Sequence, residues 1–121
     1  MKTALFVDDM NNSFKNIHRA VARAGYNVVC VSDGKAALSK VISQRPDIVL
    51  MDLIMPEWDG LATAAKIRSM EGCNDVPVLF LSSVIAGTCG VIFGDGVEYP
   101  IISKMADVHV IVARIRECCG V

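Results

Sequence analysis

Short apolar runs alternate with stretches of helical period along the chain. The runs are Ala4 to Val7, Val28 to Val31, Ile48 to Met51, Val78 to Leu81 and the pair Ile101 and Ile102, and each reads as a strand. Between and after them, apolar residues recur at helical spacing. Phe14, Ile17, Val21 and Ala24 share one face of a first helix, and Ala37, Leu38, Val41 and Ile42 one face of a second. Leu61, Ala64, Ala65 and Ile67 stripe a third, and Val108, Ile111, Val112 and Ile115 stripe the last. Gly25 and Pro46 punctuate the ends of the first two helices, whereas Asp59-Gly60 and Asp107 open the third and the last.

One segment resists this reading. Ser83 to Glu98 carries glycines at 87, 90, 94 and 96, and each glycine costs a helix interior about 0.8–1 kcal/mol relative to alanine. A short, frayed or mobile fourth helix is predicted there. Val84, Ile85, Val91, Ile92 and Phe93 in this segment are core residues or, with only Asp95 and Glu98 charged nearby, a sticky exposed patch.

The pattern is therefore strand then helix, five times over. Strands connected through helices must run mostly parallel, because each helix is the right-handed crossover to the next strand. A doubly wound α/β sandwich with helices on both faces follows, and 53% hydrophobic residues suit a sheet buried on both sides. At 121 residues the chain holds one domain, 1–121. In such sheets ligands bind beyond the carboxyl ends of the strands, so functional residues should directly follow each apolar run.

Charge and cysteine content narrow the function. Twelve basic and thirteen acidic residues, with no stretch that clusters Lys and Arg, argue against direct nucleic-acid binding. No run approaches the roughly 20 apolar residues of a membrane span, and the first residues reach Asp8-Asp9 too soon for a signal peptide, so a soluble cytoplasmic protein is expected. Cys30, Cys73, Cys89, Cys118 and Cys119 are odd in number and lack metal-ligand spacing, which fits small buried apolar residues in a reducing compartment, although Cys118 and Cys119 near the end could be exposed and oxidisable.

The strand ends carry the chemistry. Asp8 and Asp9 follow the first strand, Asp52 the third, and neighbouring parallel strands bring these carboxylates to one rim. Three such charges repel unless a cation lies among them, and hard oxygen ligands suit Mg²⁺. Ser82 ends the fourth strand and Lys104 follows the fifth, adding a hydroxyl and an ammonium at the same rim. An isolated acidic pair is more often a helix cap, and Lys104 or Ser82 alone a solvated surface or loop residue. It is the alignment of all five that makes a site. His18 and His109 fall on helices away from the rim and read as ordinary surface or boundary residues, and Trp58 as a packing residue close in sequence to Asp52.

These residues carry a resemblance. The acidic pair Asp8-Asp9, the stretch IVLMDLIMPEWDG around Asp52, the segment PVLFLSS ending near Ser82, and Lys104 occur in the order and at the separations of response-regulator receiver domains, along the whole chain. The resemblance implies a flavodoxin-like (βα)5 fold with the sheet in order 2-1-3-4-5. It implies a two-component switch in which Asp52 accepts a phosphoryl group from a histidine kinase, a phosphotransfer protein or a small phosphodonor. Asp8, Asp9, Asp52 and the main-chain carbonyl of Ile54 would hold Mg²⁺, with Asp8 acting largely through a bound water, and Ser82 and Lys104 would meet the phosphoryl oxygens. Such a protein catalyses only its own phosphorylation and dephosphorylation. Ile54 and Val84 occupy the positions that tune acyl-phosphate lifetime, and neither can orient water, so slow loss of phosphate is expected. The output face of the family, built from the fourth helix, fifth strand and fifth helix, would contact a downstream protein or a second copy, since no output domain is expected in this chain.

Three positions depart from the family pattern. Met105 replaces the usual cis proline, and because a cis bond before Met costs about 2.5–4 kcal/mol, a trans peptide and a changed path for Lys104 are expected. Ile101 stands where the family has its switch aromatic, and nearby Tyr99 is not given that role. The glycine-rich fourth helix is the third. Together they sustain an alternative, a degenerate receiver that serves as a phosphorylation-independent interaction module. A Mg²⁺-dependent aspartyl phosphatase would place a general acid where Ile54 stands, and a flavodoxin-like cofactor binder would not put Asp8-Asp9 where phosphate must sit.

Overall fold

The computed structural model describes residues 1–8, 15–53, 60–70, 72–73, 75–82, 89–94 and 96–119, with the side chains of Cys89 and Phe93 left aside. Strands β1 (Thr3–Val7), β2 (Asn27–Val31), β3 (Ile48–Asp52), β4 (Val78–Ser82), β5 (Cys89–Gly94) and β6 (Val97–Ser103) form one sheet in the order β2-β1-β3-β4-β6-β5. All pairs are parallel except β5 with β6. Helices α1 (Lys15–Arg23), α2 (Gly34–Gln44), α3 (Gly60–Ser69) and α4 (Val108–Cys119) cover the two faces.

Alternation along the strands explains the continuous apolar runs. Leu5, Val7, Val49, Met51 and Phe80 face α2 and α3, meeting Ala37, Val41, Ala64 and Ile67. Ala4, Phe6, Ile48, Leu50, Leu79 and Leu81 face the other way, onto Ile17 and Val21 of α1 and Ile111 and Ile115 of α4. Every residue of these central runs is buried, because neither face meets water.

Local signals set the helix ends. The Asp33 carboxylate accepts from the Ala36 N–H at 2.8 Å to cap α2, and Asp107 accepts from the His109 N–H at 2.8 Å at the start of α4. Gly25, at φ +101°, turns the chain out of α1. Arg45 takes the left-handed conformation after α2, at φ 48°, in a place where glycine is commoner.

The five parallel strands and their order agree with the (βα)5 expectation. The glycine-rich segment does not form a helix over its described residues: 89–94 is a sixth strand at the sheet edge, paired antiparallel with β6 from Cys89–Ile102 to Gly94–Val97. Asp95-Gly96 between apolar strands is the two-residue hairpin signal, and glycine, which weakens a helix, supplies the positive φ of +74° that the turn needs at Gly96. Residues 83–88, the rest of the expected helix, lie outside the described residues.

Candidate functional site

The register of the sheet assembles the rim. Val7 pairs with Met51, so Asp8 and Asp52 leave adjacent strands at the same level. Asp52 pairs with Leu81, and Ser82 with Ser103, so the next residues of β4 and β6 reach that level from the other side. The Asp8 N–H donates to the Val31 carbonyl at 3.1 Å and that of Leu53 to the Leu81 carbonyl at 3.3 Å, which extends the ladder just past the strand ends.

Lys104 enters from the end of β6. Its N–H donates to the Ser82 carbonyl at 3.0 Å, and its Nζ stands 3.3 Å from Asp52 Oδ2 with both side chains about 13–14% exposed. The turn that aims it is built by Ser103. Its carbonyl accepts from the Ala106 N–H at 3.1 Å and its Oγ from the Met105 N–H at 3.0 Å. The Lys104–Met105 peptide is trans, as expected, and the amide hydrogen that a proline would lack is used in this turn. Ser103 was not visible as a site residue in the sequence, although a serine directly before a functional lysine is a recognisable turn former.

Gly60 fixes the other wall. Its N–H donates to the Leu53 carbonyl at 2.6 Å, and a Cβ there would lie 2.6 Å from the Asp52 carbonyl, 2.7 Å from Phe80 Cε1 and 2.8 Å from the Leu53 carbonyl. The start of α3 therefore closes directly against the backbone of Asp52. Phe80 meets Tyr99 edge to face at 5.4 Å, and Tyr99 and Ile101 share the α2–α3 side of β6, both buried.

His18 is closer to the rim than its sequence position implied. Its ring lies edge-on to Phe6 at 4.3 Å between centroids and 3.6 Å from the Cys30 thiol, with Asp8 close enough to act on both. Burial lowers the His18 pKa, partly opposed by the Asp8 charge; burial and then Asp8 raise that of the Cys30 thiol. Cys30 is exposed rather than the buried apolar residue expected, while Cys73 is buried.

Of the predicted site, Asp8, Asp52, Ser82 and Lys104 are thus brought to one rim. Asp9, Ile54, Trp58, Ser83 and Val84 lie outside the described residues. Among the described residues no group of three or more His, Cys, Asp or Glu side chains is placed to hold a metal. Asp8 and Asp52 supply two hard carboxylates at the ends of adjacent strands, a donor type that suits a divalent cation. A cavity of about 740 Å³ opens at the opposite end of the sheet, among Lys2, Tyr26, Asp47 and Arg116. It adjoins none of the rim groups, and the chemistry of the strand ends outweighs its size in locating the site.

A family model, the response regulator receiver domain, matches residues 4–116. The chain belongs to that family. It is 37% identical over 79 residues to the response regulator MprA of Mycolicibacterium vanbaalenii, a match spanning 65% of this chain and 33% of the relative. The transcriptional regulatory protein PrrA of Mycobacterium tuberculosis is 35% identical over 79 residues, with the same shares. Each match thus spans about a third of the relative's length. The receiver fold is shared with the chemotaxis response regulator CheY4 of Vibrio cholerae, at a TM-score of 0.79 and 21% identity over 98% of both chains. No helix among the described residues is long and apolar enough to cross a membrane.

Proposed function

We propose that this receiver is a working phosphoacceptor switch, with Asp52 as the nucleophile. The observation that carries this reading is the Lys104 ammonium held 3.3 Å from Asp52 Oδ2 at a rim shared with Asp8. A family member that had lost the chemistry would have no need of a lysine aimed at that carboxylate by a dedicated turn.

A carboxylate oxygen of Asp52 attacks the phosphorus of a kinase phosphohistidine or of an acyl phosphate. The bond to the imidazole nitrogen or leaving oxygen breaks, and an aspartyl phosphate remains. Transfer of this kind depends on positioning and charge neutralisation. Lys104 would meet the charge on the phosphoryl oxygens, and Ser82, buried at the end of β4, would donate its hydroxyl to one of them. Asp8, Asp9, Asp52 and the Ile54 carbonyl would hold Mg²⁺, which when bound supplies the remaining neutralisation. The chain catalyses its own modification alone and passes the signal on by protein contacts, through the β5–β6 hairpin and α4.

Incubation with acetyl phosphate and Mg²⁺, followed by intact mass, tests this reading. One added phosphoryl group that is lost with EDTA and in Asp52→Asn supports it. An unmodified mass in every condition favours the alternative, a phosphorylation-independent interaction module, to which the hairpin in place of the expected helix lends support.

A further inference from the structure

The outer edge of β5 offers a docking strand. Its sequence, CGVIFG, contains no charged residue and no proline, and among the described residues it pairs with β6 alone. Natural edge strands of this length are normally guarded by a charge, a proline or a bulge, because unpaired N–H and C=O groups accept any strand. None of these guards lies within β5.

The register says which groups are free to pair. In a two-residue hairpin the residues flanking the loop exchange hydrogen bonds, so Gly94, Ile92 and Gly90 bond inward to Val97, Tyr99 and Ile101. Cys89, Val91 and Phe93 alternate with them and direct their main-chain groups away from β6. Pro100, which has no N–H, stands opposite Val91, at a pair that this alternation leaves without mutual hydrogen bonds. One side of β5 is occupied, since Gly94 packs against Leu61 of α3. On the other, Val91 is 49% exposed.

We propose that β5 pairs antiparallel with β5 of a second copy of this chain, about a two-fold axis near Val91, joining the two sheets. A second copy is the occupant because the pairing is self-complementary. A two-fold axis sets each outward-facing residue against another of the same uncharged set, so no like charges oppose one another, and it brings the two half-exposed Val91 side chains together. A six-residue edge buries less than the ~1,200 Å² of a standard interface, so the dimer forms only at high protein concentration. The pairing needs no phosphoryl group, so its failure leaves the phosphoacceptor reading untouched, and the converse also holds.

Sedimentation velocity of the full chain without phosphodonor, over roughly a hundredfold concentration range, tests the pairing. Wild type and Asp52→Asn are expected to shift from monomer towards dimer. Val91→Pro removes an outward N–H without touching the hairpin bonds, and Val91→Lys places a charge on the edge. Both should weaken association at least about tenfold with circular dichroism unchanged, whereas Val91→Thr should associate like wild type. If Val91→Pro disturbs the fold, Val91→Lys decides. A wild type that stays monomeric throughout, or association that survives Val91→Lys, overturns the proposal.

Discussion

Lys104 and Asp52 meet at 3.3 Å because the chain turns sharply after β6, not because their strands are neighbours. Strand β4 lies between β3 and β6, and the Ser82 carbonyl that ends β4 anchors the Lys104 backbone. Lys104→Ala should therefore slow phosphorylation from a small donor by roughly 10²–10³-fold, the usual loss when one charge-stabilising donor is removed. It should also cost about 1–3 kcal/mol of stability, since a mostly buried carboxylate loses the ammonium beside it. Asp52→Asn, which removes a negative charge from the rim, should cost less. Parallel urea melts and phosphorylation time courses check both.

Ser103 positions Lys104 through the turn, so Ser103→Ala should slow phosphorylation while leaving Asp52 itself untouched. Loss of the bond from the Met105 N–H should lower stability by about 0.5–1.5 kcal/mol. Because the turn and not the chemistry is altered, Ser103→Thr, which keeps an acceptor oxygen, should restore most of the rate. A rate unchanged in Ser103→Ala would show that Lys104 finds its place without the turn.

Gly60→Ala places a methyl carbon within 2.6–2.8 Å of two backbone carbonyls and the Phe80 ring. Backbone cannot swing aside as a flexible side chain can. Overpacking of this kind costs about 1–3 kcal/mol, and the displaced Asp52 backbone should slow phosphorylation as well. Thermal unfolding and the intact-mass assay on the same preparation read the two effects together.

The folded-state pKa of His18 lies below its unfolded value, chiefly through burial. Protonation therefore favours the unfolded chain: the contribution is fully present above the unfolded pKa and is lost as pH falls through the folded one. Without added divalent metal, stability should decline on acidification below about pH 6.5, and His18→Phe, which keeps a ring against Phe6, should flatten that part of the profile. Equilibrium unfolding from neutral to mildly acidic pH shows whether the two profiles diverge.

Most of the architecture was legible because a sheet buried on both faces writes each strand as an unbroken apolar run. The residue after each run, or in the fifth the one beyond it, then fell at the rim, so Asp8, Asp52, Ser82 and Lys104 could be named before their positions were known. The hairpin was misread for a physical reason. Four glycines weigh equally against a helix and for a turn, and the helical expectation of the repeating pattern hid the Asp95-Gly96 signal flanked by Val91, Ile92 and Phe93 on one side and Val97 and Tyr99 on the other. Ser103 was missed because its work is done through backbone amides: a serine before a lysine marks a turn but does not say what the turn aims. His18 was placed too far from the rim because helical period gives a face but not a height along the sheet.

The central claim is that Asp52 itself carries the phosphoryl group. Acyl phosphates are reduced by borohydride, so treating the phosphorylated chain and sequencing its peptides by mass spectrometry reads the acceptor directly. Homoserine at position 52, found only after incubation with phosphodonor and Mg²⁺, is the predicted result. Homoserine at position 8 or 9, or a phosphoryl group that resists borohydride because it sits on a serine, would contradict the account.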